Sequence, residues 1–348
     1  MQAKISVLGH FGEGENLLNG QTVKTKIITD ELQNQFGKEN VLKFDTHGGW
    51  KILLKAPFQV LSALKNSKNV LIFPAQNGLR IYAPLLFLLR KLFKGRKLHY
   101  IVIGGWLPKF LPRRKFLAKF LKHFDGIYAE TNTMKGALKE QGFSNVYVMP
   151  NCKKLTILAE NDLIFPEGVP LRLCTFSRVM KEKGIETAVS VIKHINEKLG
   201  CIAFSLDIYG QIDAEQTQWF ENLKNTFPEY IRYLGCIDAD KSVEVLKKYF
   251  ALIFPTRFYT EGIPGTIIDA YSAGIPVISA KWESYSDVVD EGKTGIGYEF
   301  DNEKHFEEIL MNAAKNPETV LDMKMNCLNK AKNYIPETAT RIMVENFE

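Results

Sequence analysis

The chain has 348 residues, 45% of them hydrophobic and 24% charged, which is material for two cores of ordinary domain size and excludes a disordered chain. Its five cysteines (Cys152, Cys174, Cys201, Cys236, Cys327) are scattered with no C-x-x-C pair, so a disulfide framework or zinc site is not indicated and the chain reads as intracellular. The net charge of +6 is unevenly shared: residues 1–157 carry 25 basic and 9 acidic side chains, the remainder 20 basic and 30 acidic, which predicts an anionic partner for the first half.

The opening MQAKISVLGHFG reads as a strand, Lys4 to Gly9, rather than as a signal peptide. Gly9, Gly12, Gly14 and Gly20 punctuate the following loop, and Val23, Ile27, Ile28, Leu32 and Phe36 give Thr22–Phe36 helical spacing. Strand, glycine loop and helix open a doubly wound unit, with the loop at the ligand end of the sheet. The spacing is not G-x-G-x-x-G, so no dinucleotide fingerprint is supported, and the glycines also read as plain turn formers. Further strands are predicted at Val41–Phe44, Asn69–Phe73, Leu98–Ile103, Gly126–Glu130 and Asn145–Met149, with helices at Ile52–Leu64, Leu79–Phe93 and Met134–Gln141. The longest apolar run, Ile81–Leu89, has nine residues, against the roughly 20 that span a bilayer.

No acid occurs from Thr46 to Phe124. Within that stretch, Phe116, Leu117, Phe120, Leu121 and Phe124 form one helical stripe, with Lys115, Lys119 and Lys122 off it. Two readings stand. One is a sheet-covering helix with solvated lysines. The other is an amphipathic segment, Phe110 to Phe124, on an anionic membrane surface, where Phe110 and Leu111 dip into lipid; the cations of Phe87–Lys97 support it. No nucleic-acid partner is expected, because the cations alternate with aliphatics rather than with stacking aromatics and no binding motif is present.

Pro150-Asn151 closes a first domain, 1–157, and 152–170 reads as a linker. The second domain, 165–335, begins with strand Leu171–Phe176, then Arg178 and Lys183 at the start of helix Ile185–Lys198. Two cations beside helix N–H groups read either as a diphosphate clamp or as a solvated surface pair. Strands Phe204–Tyr209, Arg232–Leu234 and Ala251–Phe254 and helix Ser242–Tyr249 lead to the stretch EGIPGTIIDAYSAGIPVISA, Glu261 to Ala280. There Glu261 precedes the turn Gly262-Ile263-Pro264-Gly265, and Thr266, Ile267, Ile268, Ala270 and Ala273 give an apolar helical face. Asp269 stands eight positions after Glu261, Gly274 ends the helix, and Val277 and Ile278 begin a strand. A helix N-terminus after a glycine turn attracts anions. Two carboxylates beside it suit an anion that also carries hydroxyl groups: a nucleotide-sugar, in which a diphosphate is flanked by two polyol rings. Helices at Glu283–Val289, Phe306–Ala314 and Leu321–Asn333 follow, then a break at Pro336 and a last helix, Glu337–Phe347. The two halves look like similar βα arrays, with no short repeat.

The Glu261–Ala280 stretch resembles the Glu-x7-Glu segment of family 4 retaining glycosyltransferases, with Asp269 where that family usually has Glu. Ser177-Arg178 to Lys183-Gly184 resembles the family's Gly/Ser-Arg-x4-Lys-Gly motif, Tyr233-Leu234-Gly235 its Phe/Tyr-Leu-Gly step, and Gly20 its glycine at the start of the first helix. The resemblance implies an α/β GT-B fold, two Rossmann-like doubly wound domains facing across a cleft, with helix 336–348 packing back on the first. It implies a retaining, metal-independent transferase that moves a sugar from a nucleotide-diphosphate-sugar, UDP-sugar foremost, to a lipid-linked saccharide in polysaccharide synthesis. The enzyme would be peripheral on the cytoplasmic membrane face, with no cofactor. Arg178 and Lys183 would neutralise the diphosphate, Glu261 would hold hydroxyls of the transferred sugar, and Asp269 the ribose. Gly20, Gly262, Ile263, Pro264, Gly265 and Thr266 would complete the donor site, and Gln21, Thr22 and Trp106 would stand on the acceptor side. The family's histidine after the fourth strand is replaced by Gly104-Gly105-Trp106; His10 and His47 stand in neighbouring loops and neither is assigned its role. A sugar-nucleotide epimerase and a non-catalytic sugar-nucleotide-binding module are the alternatives.

Overall fold

The computed structural model describes residues 5–12, 14, 20–49 and 52–347. Lys4 of the first expected strand, much of the Gly12–Gly20 loop and Glu348 of the last expected helix lie outside them. The chain divides into two compact units, Met1–Lys154 with Tyr334–Glu348, and Leu155–Asn333.

The first unit runs β1 (Ile5–Gly9), α1 (Gly20–Phe36), β2 (Val41–Asp45), α2 (Ile52–Asn66), β3 (Asn69–Ile72), α3 (Gln76–Leu89), β4 (Lys97–Ile101), α4 (Leu107–Phe110), α5 (Lys115–Leu121), β5 (Gly126–Ala129), α6 (Asn132–Glu140) and β6 (Val146–Val148). Its strands form one parallel sheet in the order β2-β1-β3-β4-β5-β6. β1, β3 and β5 are buried along their whole length, as a parallel sheet covered on both faces requires. Val60, Leu64, Tyr82, Leu86, Leu117, Leu121 and Leu138 place α2, α3, α5 and α6 in one core. Ile28, Leu32, Ala339 and Met343 place α1 and the last helix, α15 (Pro336–Glu345), in the other.

The second unit runs β7 (Leu171–Phe176), α7 (Ile185–Leu199), β8 (Phe204–Tyr209), α8 (Thr217–Lys224), β9 (Ile231–Gly235), α9 (Ser242–Leu246), β10 (Ala251–Phe254), α10 (Gly265–Ser272), β11 (Val277–Ala280), α11 (Tyr285–Val288), β12 (Gly295–Tyr298), α12 (Glu303–Lys315), α13 (Glu318–Leu321) and α14 (Lys324–Ala331). Its parallel order is β12-β11-β10-β7-β8-β9. Counted from the unit's own first strand this is the 3-2-1-4-5-6 order of dinucleotide-binding folds, whose direction reverses between β7 and β10. In the first unit the reversal falls between β1 and β3. In such sheets ligands bind beyond the carboxyl ends of the strands at that reversal.

Two expectations are corrected. The amphipathic segment expected over Phe110–Phe124 is not one helix: α4 ends at Phe110, Leu111–Arg114, with Pro112, interrupts it, and α5 carries the Phe116 stripe as far as Leu121. Phe110 and Leu111 do not project outward. Both are buried, and Phe110 lies against the Trp106 ring at 5.0 Å, with the Arg114 and Arg80 guanidinium groups 3.8 and 5.3 Å from its ring centre. Stacked cations cover the face that was expected to meet lipid.

Candidate functional site

The strand reversal of the second unit is where the predicted donor residues gather. β7 ends at Phe176, and the chain turns through Arg178 and a 3-10 turn at Lys181–Lys183 into α7. Gly184 takes φ 69°, and a Cβ there would stand 1.8 Å from the Pro255 carbonyl oxygen, so only glycine lets this turn lie against the loop after β10. The Arg257 N–H donates to the Glu182 carbonyl at 2.8 Å and ties the two loops together.

Across this seam the Lys183 ammonium donates to the Glu261 carboxylate. Glu261 also accepts from the Thr256 hydroxyl at 3.2 Å, which in turn accepts from the Phe258 N–H at 3.1 Å. The Lys183 Nζ stands 5.5 and 5.1 Å from the ring centres of Phe254 and Phe258, an aromatic wall that favours a cation. Arg178 is half exposed and pairs with Asp213 at 3.5 Å. The structure therefore joins Lys183 to Glu261 and gives Arg178 a different partner.

Gly262, Ile263 and Pro264 are buried and lead into α10, with Pro264 at its N-cap. The Pro264 carbonyl accepts from the N–H groups of Ile267 and Ile268. Among the described residues the N–H groups of Gly265 and Thr266 donate to nothing, and the buried Thr266 hydroxyl has no partner. An α-helix N-terminus with free donors is a ready anion site. Asp269 is on the same face one turn on. Its side chain is 2% exposed and accepts from the Ser242 hydroxyl of α9 at 3.2 Å.

Sequence reasoning missed Trp282. It follows β11, is buried, and stacks edge-on against Phe254 and Tyr285, each at 5.6 Å, while its indole N–H has no acceptor among the described residues. A tryptophan directly after a buried strand at the ligand end was the available signal. Also overlooked was an Asp-x-Asp spacing, Asp238-Ala239-Asp240, in the turn after β9; Asp238 pairs there with Lys241 at 3.0 Å. Among the described residues no group of three or more His, Cys, Asp and Glu side chains is placed to hold a metal ion.

The first unit carries a pocket of about 660 Å³ beyond the ends of β1 to β4. Gln21 and Trp106 line it with His10, His47 and Tyr82. The Gln21 amide reaches the Phe73 carbonyl at 3.4 Å, and the Trp106 indole N–H donates to the Ile103 carbonyl at 2.7 Å. Thr22 stands behind the pocket: its hydroxyl is 2.7 Å from His10 Nδ1, and His10 Nε2 is 2.8 Å from His47 Nδ1. Gly20 opens α1, and a Cβ there would meet nothing within 4 Å among the described residues. The two histidines meet because β1 and β2 are in register, Gly9 opposite Asp45, so the residues leaving both strands emerge side by side. Asp45 fixes that exit, accepting from the N–H groups of Phe11 and His47, each at 2.9 Å.

Behind Trp106 lies a buried ion pair. Lys24 of α1 donates to Glu130, after β5, at 2.7 Å and to the Val102 carbonyl at 3.0 Å. The same carboxylate oxygen accepts from the Gly104 N–H at 3.1 Å, where φ is 75°. The pair therefore pins the turn that presents Trp106.

Residues 170–316 match the family model described as glycosyl transferases group 1. A curated relative, the amylovoran biosynthesis glycosyltransferase AmsK of Erwinia amylovora, is 23% identical over 134 residues, which is 36% of this chain and 31% of AmsK. The match thus spans about a third of that relative. Among solved structures, Anabaena Alr3699/HepE in complex with UDP superposes with a TM-score of 0.74 at 14% identity, covering 98% of both chains. A glycosyltransferase of Rickettsia africae ESF-5 gives 0.72 at 15%, covering 99% of this chain and 98% of its own. The lipopolysaccharide outer core galactosyltransferase WaaB gives 0.70 at 17%, with the same coverage. The α/β fold of two six-stranded parallel sheets, expected as GT-B, is the fold of these structures.

Proposed function

We propose that this chain, whose second unit matches the glycosyl transferases group 1 family over residues 170–316, is a glycosyltransferase that takes a UDP-sugar as donor. The observation that carries the reading is the juxtaposition at the β7–β10 reversal. A lysine–carboxylate pair, Lys183 and Glu261, joins the loops after β7 and β10, and the second loop leads directly into α10, whose Gly265 and Thr266 N–H groups have no acceptor among the described residues. HepE in complex with UDP and glucose, at a TM-score of 0.72, supports a donor of this kind.

In the proposed reaction the bond between the anomeric carbon and the donor's β-phosphate oxygen breaks, and its electron pair leaves with the UDP. A bond forms from the acceptor oxygen to that carbon on the face the phosphate leaves, so configuration is retained. The departing phosphate oxygen takes the acceptor proton. Arg178, Lys183 and the α10 N–H groups stabilise the growing diphosphate charge in place of a metal, as preorganised donors. Glu261 shares its acceptor capacity between Lys183 and hydroxyls of the transferred sugar. Asp269 is assigned the ribose hydroxyls; its carboxylate accepts from Ser242 through Oδ1 and, as a carboxylate, can accept further hydrogen bonds. The pocket of Gln21, His10 and Trp106 is assigned to a saccharide acceptor, lipid-linked and used in polysaccharide assembly at the cytoplasmic membrane face.

The test mixes the purified chain with UDP-sugars and candidate saccharides, follows UDP release, and reads the product's anomeric configuration by NMR. Transfer with retention is expected, and Lys183→Ala and Glu261→Gln should each lose about 10²–10³-fold in kcat, the usual cost of a preorganised charge-stabilising contact. Full activity in both variants, release of free sugar without any acceptor, or an inverted product would overturn the reading.

A further inference from the structure

The helix layer formed by α2, α3 and α5 has an outer surface that neither the donor site nor the first unit's pocket uses. α2 packs against α3, and α3 against α5, over one face of the sheet. Every large hydrophobic residue that is exposed among the described residues of the first unit lies on or next to these helices. Phe116 is 81% exposed, Phe58 75%, Leu92 70%, Leu54 68% and Leu88 53%. They are not spare core residues, because each helix buries a separate stripe: Ala56, Val60 and Ala63 on α2, Tyr82 and Leu86 on α3, Leu117 and Leu121 on α5.

The charge around them has one sign. No acidic residue occurs between Asp45 and Asp125, so these three helices contain none. The exposed Lys55, Lys91, Lys94, Lys115 and Lys119 have no carboxylate partner among the described residues. The opposite helix layer of the same unit is different, since α1 carries Asp30 and Glu31, and α15 Glu337 and Glu345. An ordinary soluble face mixes both signs and spreads its apolar groups. Here both departures coincide on one layer of one unit.

α5 shows how the surface is built. Leu117 and Leu121 face the sheet, Phe116 projects outward, and Lys115, Lys119 and Lys122 line a shallow pocket of about 410 Å³ floored by Leu111, Pro112 and Ala118. Lys122 is anchored to the Gln141 carbonyl at 2.8 Å. A cationic recess with an apolar floor, beside a projecting aromatic ring, suits a phosphate headgroup whose chains continue past the ring.

We propose that the α2–α3–α5 face is a docking surface for an anionic phospholipid bilayer. Leu54, Phe58, Leu88, Leu92 and Phe116 enter the headgroup boundary, and the surrounding lysines hold lipid phosphates. The proposal rests on the reading of the first unit as the side that meets a lipid-linked acceptor, and it moves the contact from Phe110 and Leu111 to a three-helix face.

The test floats the full-length chain with vesicles of phosphatidylcholine alone and of phosphatidylcholine mixed with phosphatidylglycerol. Recovery is expected with the anionic vesicles only. Each cation near an anionic surface contributes roughly fivefold to partitioning, so Lys91→Gln with Lys119→Gln should lower it about 25-fold. The triple variant Phe58→Ser, Leu92→Ser, Phe116→Ser should fail to float yet keep the thermal stabilisation by UDP that reports a folded donor site. Equal recovery with both vesicle types, no recovery with either, or a triple variant that floats like the unaltered chain would overturn the proposal. The last result would mark a purely cationic surface of the kind that binds nucleic acid. Failed flotation with UDP stabilisation intact leaves the donor-site reading standing, and the reverse pattern leaves the docking surface standing.

Discussion

Lys183 and Glu261 stand 78 positions apart, yet the spacing around each made both legible: a cation just past a strand before Gly184, and an acid before a glycine turn. Their pairing was not legible, because it depends on β7 and β10 being neighbours. The same limit hid the engagement of Asp269 with Ser242 and the buried, acceptor-free indole of Trp282, which arise between segments that only the sheet brings together. Lys324 is the clearest case. It sits wholly buried at the start of α14, its ammonium donating to the Tyr249 and Gly274 carbonyls, each at 3.4 Å, with no carboxylate partner among the described residues. Burial pushes its pKa down from 10.5 to about 8. The folded state thus releases this proton more readily than the unfolded chain. Below about pH 8 the full cost of a buried cation is present, and it is recovered as pH rises from about 8 toward 10.5. The shift corresponds to about 3 kcal/mol. Lys324→Met should therefore be more stable than the unaltered chain at pH 7, and the difference should shrink steadily between pH 8 and 10, as read by urea denaturation at each pH. Taking the difference cancels the buried thiols of Cys174 and Cys327, whose raised pKa values act in the opposite sense above about pH 9 in both proteins.

At the level of elements, the strands were the most legible, because strands of a sheet covered on both faces read as short apolar runs between turns. α8 and β12 went unread. α8, TQWFENLK, is short and fully buries only Phe220, with Trp219 and Leu223 half-buried beside it on the same core. β12 is four residues long with two glycines. Gly295 is needed because a Cβ there would lie 2.2 Å from the Val277 carbonyl oxygen, so close strand approach replaces the usual β-forming residues. The helix expected over Leu321–Asn333 begins later, as α14 at Lys324, because Leu321 closes the separate helix α13, and the segment expected over Phe110–Phe124 is broken around Pro112. In both, an apolar period runs on across a break in the backbone. The turn after β4 depends on a partner from elsewhere, Glu130, which holds the Gly104 N–H while paired with Lys24. Glu130→Gln leaves a buried ammonium uncompensated and should cost roughly 3–5 kcal/mol. Combining it with Lys24→Met should restore most of that loss. In the double variant the Gly104 turn has lost its charge-assisted bond, so the acceptor KM should rise while UDP affinity stays unchanged. Urea unfolding and steady-state kinetics on the same preparations separate the two effects.

Across the whole chain, charge segregation was plain in the sequence and the strand orders were not. The two sheets reverse direction at different places, between β1 and β3 in one and between β7 and β10 in the other, a difference set by crossovers that a run of alternating strands and helices does not specify. Those reversals decide where each unit can bind a ligand, and both candidate sites stand there. No helix among the described residues is long and apolar enough to cross a membrane. The central claim is that the second unit binds a nucleoside diphosphate through Lys183 and the N-terminus of α10. Thermal unfolding of the chain with and without UDP tests it most directly. At a UDP concentration about a hundredfold above Kd, a ligand that binds only the folded state contributes about 2.7 kcal/mol, which for a unit of this size raises Tm by roughly 5–10 °C. That rise is expected in the unaltered chain and should largely vanish in Lys183→Ala. An unaltered chain that gains nothing from UDP or any UDP-sugar, or a Lys183→Ala variant that gains as much, would contradict the account.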